Sequence, residues 1–575
     1  MKKKVFTLNL LNRVLCLILL AACAPAPPPG PVDVGSNPDL AAQTAEFKQE
    51  VIQVVDGVHV AVGYGLANSV LLEGDDGVII IDAMESAEAA RAVKEAFNAI
   101  TSKPVRAIIY THFHSDHTQG SAVMAGNDNP EVYAHQSTLE HLTRIASVTR
   151  ETTYRRAMRQ FGTLLPAGGV VNCGIGPQLK FNENSTIALL PPTRTFGNDP
   201  LELDIAGLKL VLVHAPGETP DQIFIWLPQK KVLLPADHVY KSFPNLYAIR
   251  GTAYRDVTQW VKSLDKMRAL GAEYLVPHHT RPITGADNIF ETLTNYRDAI
   301  QFVHDQTIRL MNQGLPPLEI AQRVKLPPHL ARQPYLHEYY GTVPWSVRAI
   351  FDGYLGWFGG NATDLFPLSL DERAKRFADL AGGEQRLMEH ARQAVAQKDY
   401  QWALELCDQL LQISPASEEY RKLKAEALRS LGSRQTAATA RNYYLTQALE
   451  VEKKLHIGMM KIKDKEMVHT VTLAGIFDGM AVNLDPDKSA EVDMIAGFRF
   501  PDVGEAYTVH VRRGVAEIQP EFPDNPDISL TVDSNVWKEL VTGFRNPAVA
   551  LVKDVDKEGG MLKIIKFLGL FKADD

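Results

Sequence analysis

Short apolar runs punctuated by turn residues open the folded part of the chain. Residues 51–55, an Asp56-Gly57 turn and residues 58–62 alternate in the manner of a β-hairpin. Residues 68–74 and 77–82 add two strands, and residues 87–101 carry the three-and-four spacing of a helix. The run Ile108-Ile109-Tyr110, β-branched and aromatic, reads as a buried strand, and apolar runs at 208–213, 232–234 and 274–276 repeat the theme. Strand, helix and strand in succession predict an α/β layer structure with chemistry at the carboxyl ends of the strands. Beyond about Gly285 the period becomes helical, predicting helices over 293–312, 318–324, 374–398, 400–413 and 417–431. From about Ile457 the pattern mixes again. A helix is predicted over 471–480, strands over 507–512, 515–518 and 528–533, and helices over 536–543 and 548–552.

Ahead of all this, Met1-Lys2-Lys3-Lys4 and the apolar run 14–20 have the form of a secretory leader. Leu20-Ala21-Ala22-Cys23 resembles a bacterial lipobox, so Cys23 is the expected site of lipidation and the protein is expected to face the periplasm from a membrane anchor. Ala24-Pro25-Ala26-Pro27-Pro28-Pro29-Gly30-Pro31 suits neither helix nor central strand and reads as a tether, taken to extend to residue 48. A chain of 575 residues is too long for one core, and at about 150 residues per domain three or four units are expected. A net charge of −8 gives no support to a nucleic-acid role. Past Cys23 only Cys173 and Cys407 remain, which excludes a disulfide scaffold.

The candidate chemistry sits where the Ile108 strand ends, in Thr111-His112-Phe113-His114-Ser115-Asp116-His117. In extended chain His112 and His114 share a face and can point at one ion, while a bend after Ser115 turns Asp116 and His117 toward another. Imidazole and carboxylate donors suit zinc. Asp82, closing an apolar strand, is placed either to orient a ligand histidine or simply to cap the strand.

The pattern His-x-His-x-Asp-His resembles the metal loop of the metallo-β-lactamase fold, and that resemblance points to the strand ends at Glu218, Asp237 and His279. The following Pro282 and Gly285 favour His279 over His278, and His214 and His238 are left as structural. Most members of the fold carry histidine after the Pro-Gly pair; here Pro216-Gly217 leads into Glu218, which resembles the alkylsulfatase branch. Asn245-Leu246-Tyr247-Ala248-Ile249-Arg250-Gly251 with Arg255, and Tyr339-Tyr340-Gly341-Thr342-Val343-Pro344-Trp345, carry the same resemblance, which runs from about residue 50 to the C-terminus.

The resemblance implies an α/β fold: a metallo-β-lactamase αββα sandwich over 49–300, then an all-α dimerisation domain over 301–450 and a small α+β sterol-carrier-like domain over 456–575. It implies two zinc ions per chain: His112, His114 and Glu218 on one, Asp116, His117 and His279 on the other, and Asp237 between. It further implies a homodimer and hydrolysis of dodecyl-sulfate-like esters, commonly by attack at carbon. Asp116, Arg250 and Arg255 act in the reaction, and Asn245, Tyr247, Arg250 and Arg255 hold the sulfate.

Two departures qualify the match. Asp237 stands where the family usually has glutamate, and Arg159 and Phe161 replace two family tyrosines, so an added basic residue near the site would favour a more anionic substrate. Trp345, Tyr354, Trp357 and Phe358 are expected in the core or at the alkyl entrance. Trp402 to Leu428 resembles one tetratricopeptide-like helix pair without the sustained period of a solenoid. The alternatives are another hydrolase of the same fold, acting on a β-lactam, lactone or phosphoester, and a lipid carrier whose C-terminal domain dominates over an idle metal site.

Overall fold

In the computed structural model of the protein, residues 35–460 and 465–571 are described; the leader and Cys23 lie outside them. Seven strands form one sheet in chain order: β1 (Glu50–Val55), β2 (Val58–Val62), β3 (Ser69–Glu73), β4 (Val78–Ile81), β5 (Val105–Ile109), β6 (Glu131–His135) and β7 (Arg194–Phe196). The first four pair antiparallel, the last four parallel. A second sheet follows, again in chain order: β8 (Leu201–Ile205), β9 (Leu208–His214), β10 (Ile223–Leu227), β11 (Val232–Leu234), β12 (Tyr274–Leu275) and β13 (Ile283–Thr284).

Side-chain alternation builds the layers. On β4, Ile79 and Ile81 join Leu210, Leu212, Ile223 and Ile225 between the sheets. Val78 and Ile80 point the other way, onto Ala90, Val93 and Phe97 of the helix Ala87–Asn98. Each such fully buried aliphatic side chain contributes about 1.5–3 kcal/mol. The outer face of the second sheet, through Phe224, Leu233 and Leu275, packs on Trp260, Leu293, Tyr296 and Val347 from three further helices. Helix, sheet, sheet, helix is the resulting order, and every site strand runs its carboxyl end to one edge of the sandwich.

Several boundaries differ from those expected. The helix Ala286–Met311 runs straight through residue 300, because its apolar stripe belongs to the core of the second sheet, and that core continues to Phe351. The tether ends sooner than residue 48: Pro38–Gln43 is a helix capped by Asn37, and Leu40 is buried against Tyr339 and Ala438. The single helix expected over 374–398 is two, Leu370–Ala381 and Glu384–Ala396. Gly382 and Gly383, at φ +88° and +111°, close the first with backbone bonds to Asp379 and Ala378. Trp357 and Tyr354 are exposed rather than in the core.

A third sheet lies in the C-terminal segment, where β14 (Asp493–Phe500), β15 (Glu505–Arg512), β16 (Val515–Gln519), β17 (Ile528–Val532) and β18 (Val555–Glu558) pair in the order β16-β15-β14-β17-β18. Its interior is filled by Phe477, Phe498, Trp537 and Phe567. No helix among the described residues is long and apolar enough to cross a membrane.

Candidate metal centre

The strand β5 delivers the His112 loop to the sandwich edge. His114 ends the extended stretch at ψ 145°, and the short helix Ser115–Thr118 then turns Asp116 and His117 back into the protein. A 3-10 turn after β11 presents Asp237, with Ala236 at φ +53°. Glu218 follows a turn that needs glycine: a Cβ on Gly217 would lie 2.7 Å from the His238 ring. His238 in turn is braced against the carbonyls of Pro235 and Ala215, both at 2.6 Å, and so keeps a structural place. His214 stacks on His135 with ring centroids 4.0 Å apart, away from the centre.

The seven residues singled out as ligands are brought together. Their donor atoms form three overlapping groups within 4.8 Å: His112, His117 and Asp237; Asp116, His117 and His279; His114, Glu218 and Asp237. The individual separations suit a common ion. His117 Nε2 stands 3.6 Å from Asp237 Oδ1 and 3.5 Å from Asp116 Oδ2; His279 Nε2 is 3.2 Å from Asp237 and 3.6 Å from Asp116; His114 Nδ1 is 3.8 Å from Glu218 Oε1. Tetrahedral ligands about 2.1 Å from one first-row ion stand about 3.4 Å from each other. His117 Nε2, Asp237 Oδ1 and Glu218 Oε2 are buried with no hydrogen-bond partner among the described residues, an arrangement that costs free energy unless a cation takes them up.

Electrostatics agree. Burial first, and for His114 the cationic Arg250 and Arg255 next, hold the His112 and His114 imidazoles well below their ordinary pKa, in the neutral form that ligates metal. Burial also opposes a proton on His117, yet Asp237, Asp116 and Asp82 together outweigh it and raise its pKa well above normal. The centre is built for positive charge.

Orientation comes from behind. Asp82 accepts from Thr111 N at 2.8 Å and Thr111 Oγ1 at 2.7 Å, and its Oδ2 lies 2.7 Å from His117 Nδ1, so it orients the histidine rather than capping the strand. His279 Nδ1 donates to the Leu66 carbonyl at 2.9 Å, leaving Nε2 to the centre. His278 points elsewhere, 3.6 Å from Asp82.

Beside the centre opens a cavity of about 200 Å³ whose wall includes His114, Asp116, Glu218, Asp237 and Arg250 at one end and apolar side chains for the rest of its length. The helices Thr138–Ser147 and Arg150–Phe161, absent from the sequence reading, supply much of that wall: Leu139, Leu142, Tyr154, Met158 and Phe161. The second helix also places Arg250. Arg156 donates to the Ile249 carbonyl at 2.7 Å, and Gln160 Oε1 accepts from Arg250 N at 2.9 Å. Arg250 Nη2 then lies 3.3 Å from His114 Nε2, and its buried Nη1 has no partner.

The remaining anion-binding candidates fall differently. Arg255 is buried behind the cavity, ion-paired to Glu218 at 2.7 Å, with Nε and Nη2 unpartnered. The Asn245 amide satisfies its neighbours with its oxygen on Arg255 Nη1 (3.3 Å) and its nitrogen on the Tyr247 carbonyl (2.9 Å). Neither Asn245 nor Tyr247 lines the cavity. Arg159, expected to add positive charge near the site, instead grips Glu450 fork to fork at 2.7 and 2.8 Å, while Phe161 keeps its place on the wall.

Comparison with known proteins fits this geometry. The metallo-beta-lactamase superfamily model matches residues 62–279, the alkyl sulfatase dimerisation model residues 316–454, and the alkyl sulfatase C-terminal model residues 461–575. A linear primary-alkylsulfatase from a Pseudomonas species is 38% identical over 525 residues, covering 88% of this chain and 98% of that protein. An alkyl/aryl-sulfatase of Saccharomyces cerevisiae is 30% identical, over 91% of this chain and 83% of its own length. The solved structure of a stereoselective inverting sec-alkylsulfatase from Pseudomonas superposes with a TM-score of 0.89 at 28% identity, covering 95% of this chain and 88% of that one. With its fold, its buried metal-binding groups and its full-length relatives in agreement, the chain belongs to the alkyl sulfatase family of metal-dependent hydrolases.

Proposed function

We propose that this protein hydrolyses linear alkyl sulfates of the dodecyl sulfate type to the alcohol and inorganic sulfate, with two zinc ions held by His112, His114, Asp116, His117, Glu218, Asp237 and His279. The observation that carries the reading is Arg250, with a buried Nη1 that has no partner among the described residues, on the wall of an apolar cavity beside the three ligand groups. Bound there, zinc supplies Lewis-acid activation of water near neutral pH. The cavity takes the alkyl chain and sets the ester at the ligand end. The Arg250 fork meets two sulfate oxygens. Arg255, fixed by Glu218 and Asn245, adds positive potential from behind.

Attack at carbon forms the new bond from water oxygen to the ester carbon and breaks the carbon–oxygen bond. Sulfate departs with the electron pair, and the water proton passes to Asp116 on the cavity wall. Charge then grows on sulfate in the transition state, where Arg250 stabilises it. Sulfate release from a panel of alkyl sulfates tests the reading, with the alcohol gaining label in ¹⁸O-water. Label in sulfate would place the attack at sulfur, and faster hydrolysis of phosphoesters would remove the sulfatase reading.

The address belongs to the same proposal. Leu20-Ala21-Ala22-Cys23 and the proline-rich stretch after it support lipidation at Cys23 and a periplasm-facing protein. Stable anchoring takes more than one acyl chain, which a fully acylated cysteine meets. A Cys23→Ser protein should leave the membrane fraction; one that stays there entirely sinks the assignment.

A further inference from the structure

We propose that Glu85 is a positioning residue that ties the wall of the apolar cavity to His279, so that the cavity's shape and the metal affinity are set together. The inference rests on the alkylsulfatase reading for its substrate, and on geometry alone for the link to His279.

Glu85 is wholly buried, yet among the described residues no cation faces it within hydrogen-bond distance. Its Oε1 accepts two backbone N–H groups from separate segments, Leu66 N at 3.0 Å and Lys180 N at 2.7 Å. Both segments form the cavity wall, through Leu66 on one side and through Leu179 and Phe181, which flank Lys180, on the other. The next residue completes the grip: Ser86 Oγ donates to the Lys180 carbonyl at 2.9 Å. Lys180 is thereby held at both its N–H and its C=O.

The link to the centre is the other face of Leu66. Its carbonyl accepts from His279 Nδ1, which fixes the tautomer and turns Nε2 toward Asp116 and Asp237. The carbonyl has no room to drift, since a Cβ on Gly176 would lie 2.2 Å from it. Gly65 is required for the same reason, because a Cβ there would sit 2.5 Å from Glu85 Oε2. The loop that carries Glu85 also carries Asp82, which orients His117 directly. Asp82 and Met84 both hold positive φ, +59° and +67°, a conformation that non-glycine residues keep only where the surroundings impose it. One loop therefore orients both histidines of the Asp116, His117 and His279 group, one directly and one through Leu66.

The test uses the full-length protein, Glu85→Ala and Glu85→Gln, with zinc affinity measured by competition with a chromophoric chelator and KM measured for hexyl and dodecyl sulfate. Loss of the carboxylate should weaken one zinc by about 10- to 100-fold, as removing an orienting partner does, and should flatten the KM ratio between the two esters. Glutamine keeps the oxygen acceptor and should restore most of both. A purely structural role would lower the melting temperature and leave the zinc affinity and the KM ratio alone. A folded Glu85→Ala protein with parental zinc affinity and an unchanged ratio overturns the proposal. Should Glu85→Ala fail to fold, Gly65→Ala, which crowds the carboxylate without removing it, is read by the same two measurements. If the parent releases no sulfate from either ester, the substrate reading fails, and the zinc measurement still decides the link to His279.

Discussion

Arg250 and Arg255 are five residues apart, yet their partners give them separable roles. Arg250 lines the cavity, has a buried Nη1 with no hydrogen-bond partner among the described residues, and meets the centre at His114, 3.3 Å away. Charge-assisted hydrogen bonds contribute about 1.5–3 kcal/mol. Arg250→Ala should therefore lower kcat/KM by about 10- to 150-fold with zinc content intact, and lysine should restore only part because it lacks the planar fork. Arg255 is instead half of a buried ion pair with Glu218. Removing it leaves that carboxylate uncompensated, so Arg255→Ala should destabilise chelator-treated protein by about 3–5 kcal/mol in denaturant unfolding. Glu85 predicts a pH effect. Burial pushes its carboxyl from 4.5 to about 7, so between those values the folded state keeps a proton that the unfolded chain has lost. Stability then falls as pH rises through that window and levels off above it. Glu85→Gln should flatten this slope, gaining up to about 3 kcal/mol on the parent between pH 4.5 and 7.

Among elements, the loop Asp82 to Ser86 and the helix Arg150–Phe161 decide the site's geometry, and they differ in how far the sequence reveals them. Asp82 closes an apolar strand whose period is plain, so an orienting role was legible beside the capping one, and the bonds to Thr111 and His117 decide between them. Asp82→Ala should weaken zinc by about 10- to 100-fold in chelator competition, with the cavity intact. The metal loop was legible because four groups of ligand type fall within six positions after a strand. The helix Arg150–Phe161 was not, because eight of its twelve residues, Arg-Glu-Thr-Thr, Arg-Arg and Arg-Gln, are polar and mask Tyr154, Met158 and Phe161 at spacings of four and three. The break at Gly382-Gly383 could have been read from the glycine pair alone. Leu66 holding His279 could not, since a backbone carbonyl 213 residues away leaves no mark on side-chain pattern.

At the scale of the whole molecule, the region matching the alkyl sulfatase dimerisation model carries apolar surface that no packing among the described residues covers. Trp357 is 71% exposed, Phe366 94% and Leu380 88%, within a run that also exposes Leu355 and Leu370. Scattered exposed leucines are ordinary on a monomer, but this many large side chains between residues 354 and 380 mark a surface that associates. None of them lines the cavity beside the metal centre. Association and catalysis should therefore separate by mutation. A Phe366→Asp and Leu380→Asp double variant places two carboxylates where a second copy would bury apolar area, and desolvating them opposes assembly. Light scattering should show the parent as a dimer and the double variant as a monomer, with zinc per chain unchanged. A variant that remains dimeric at the same concentration would move the interface to another face.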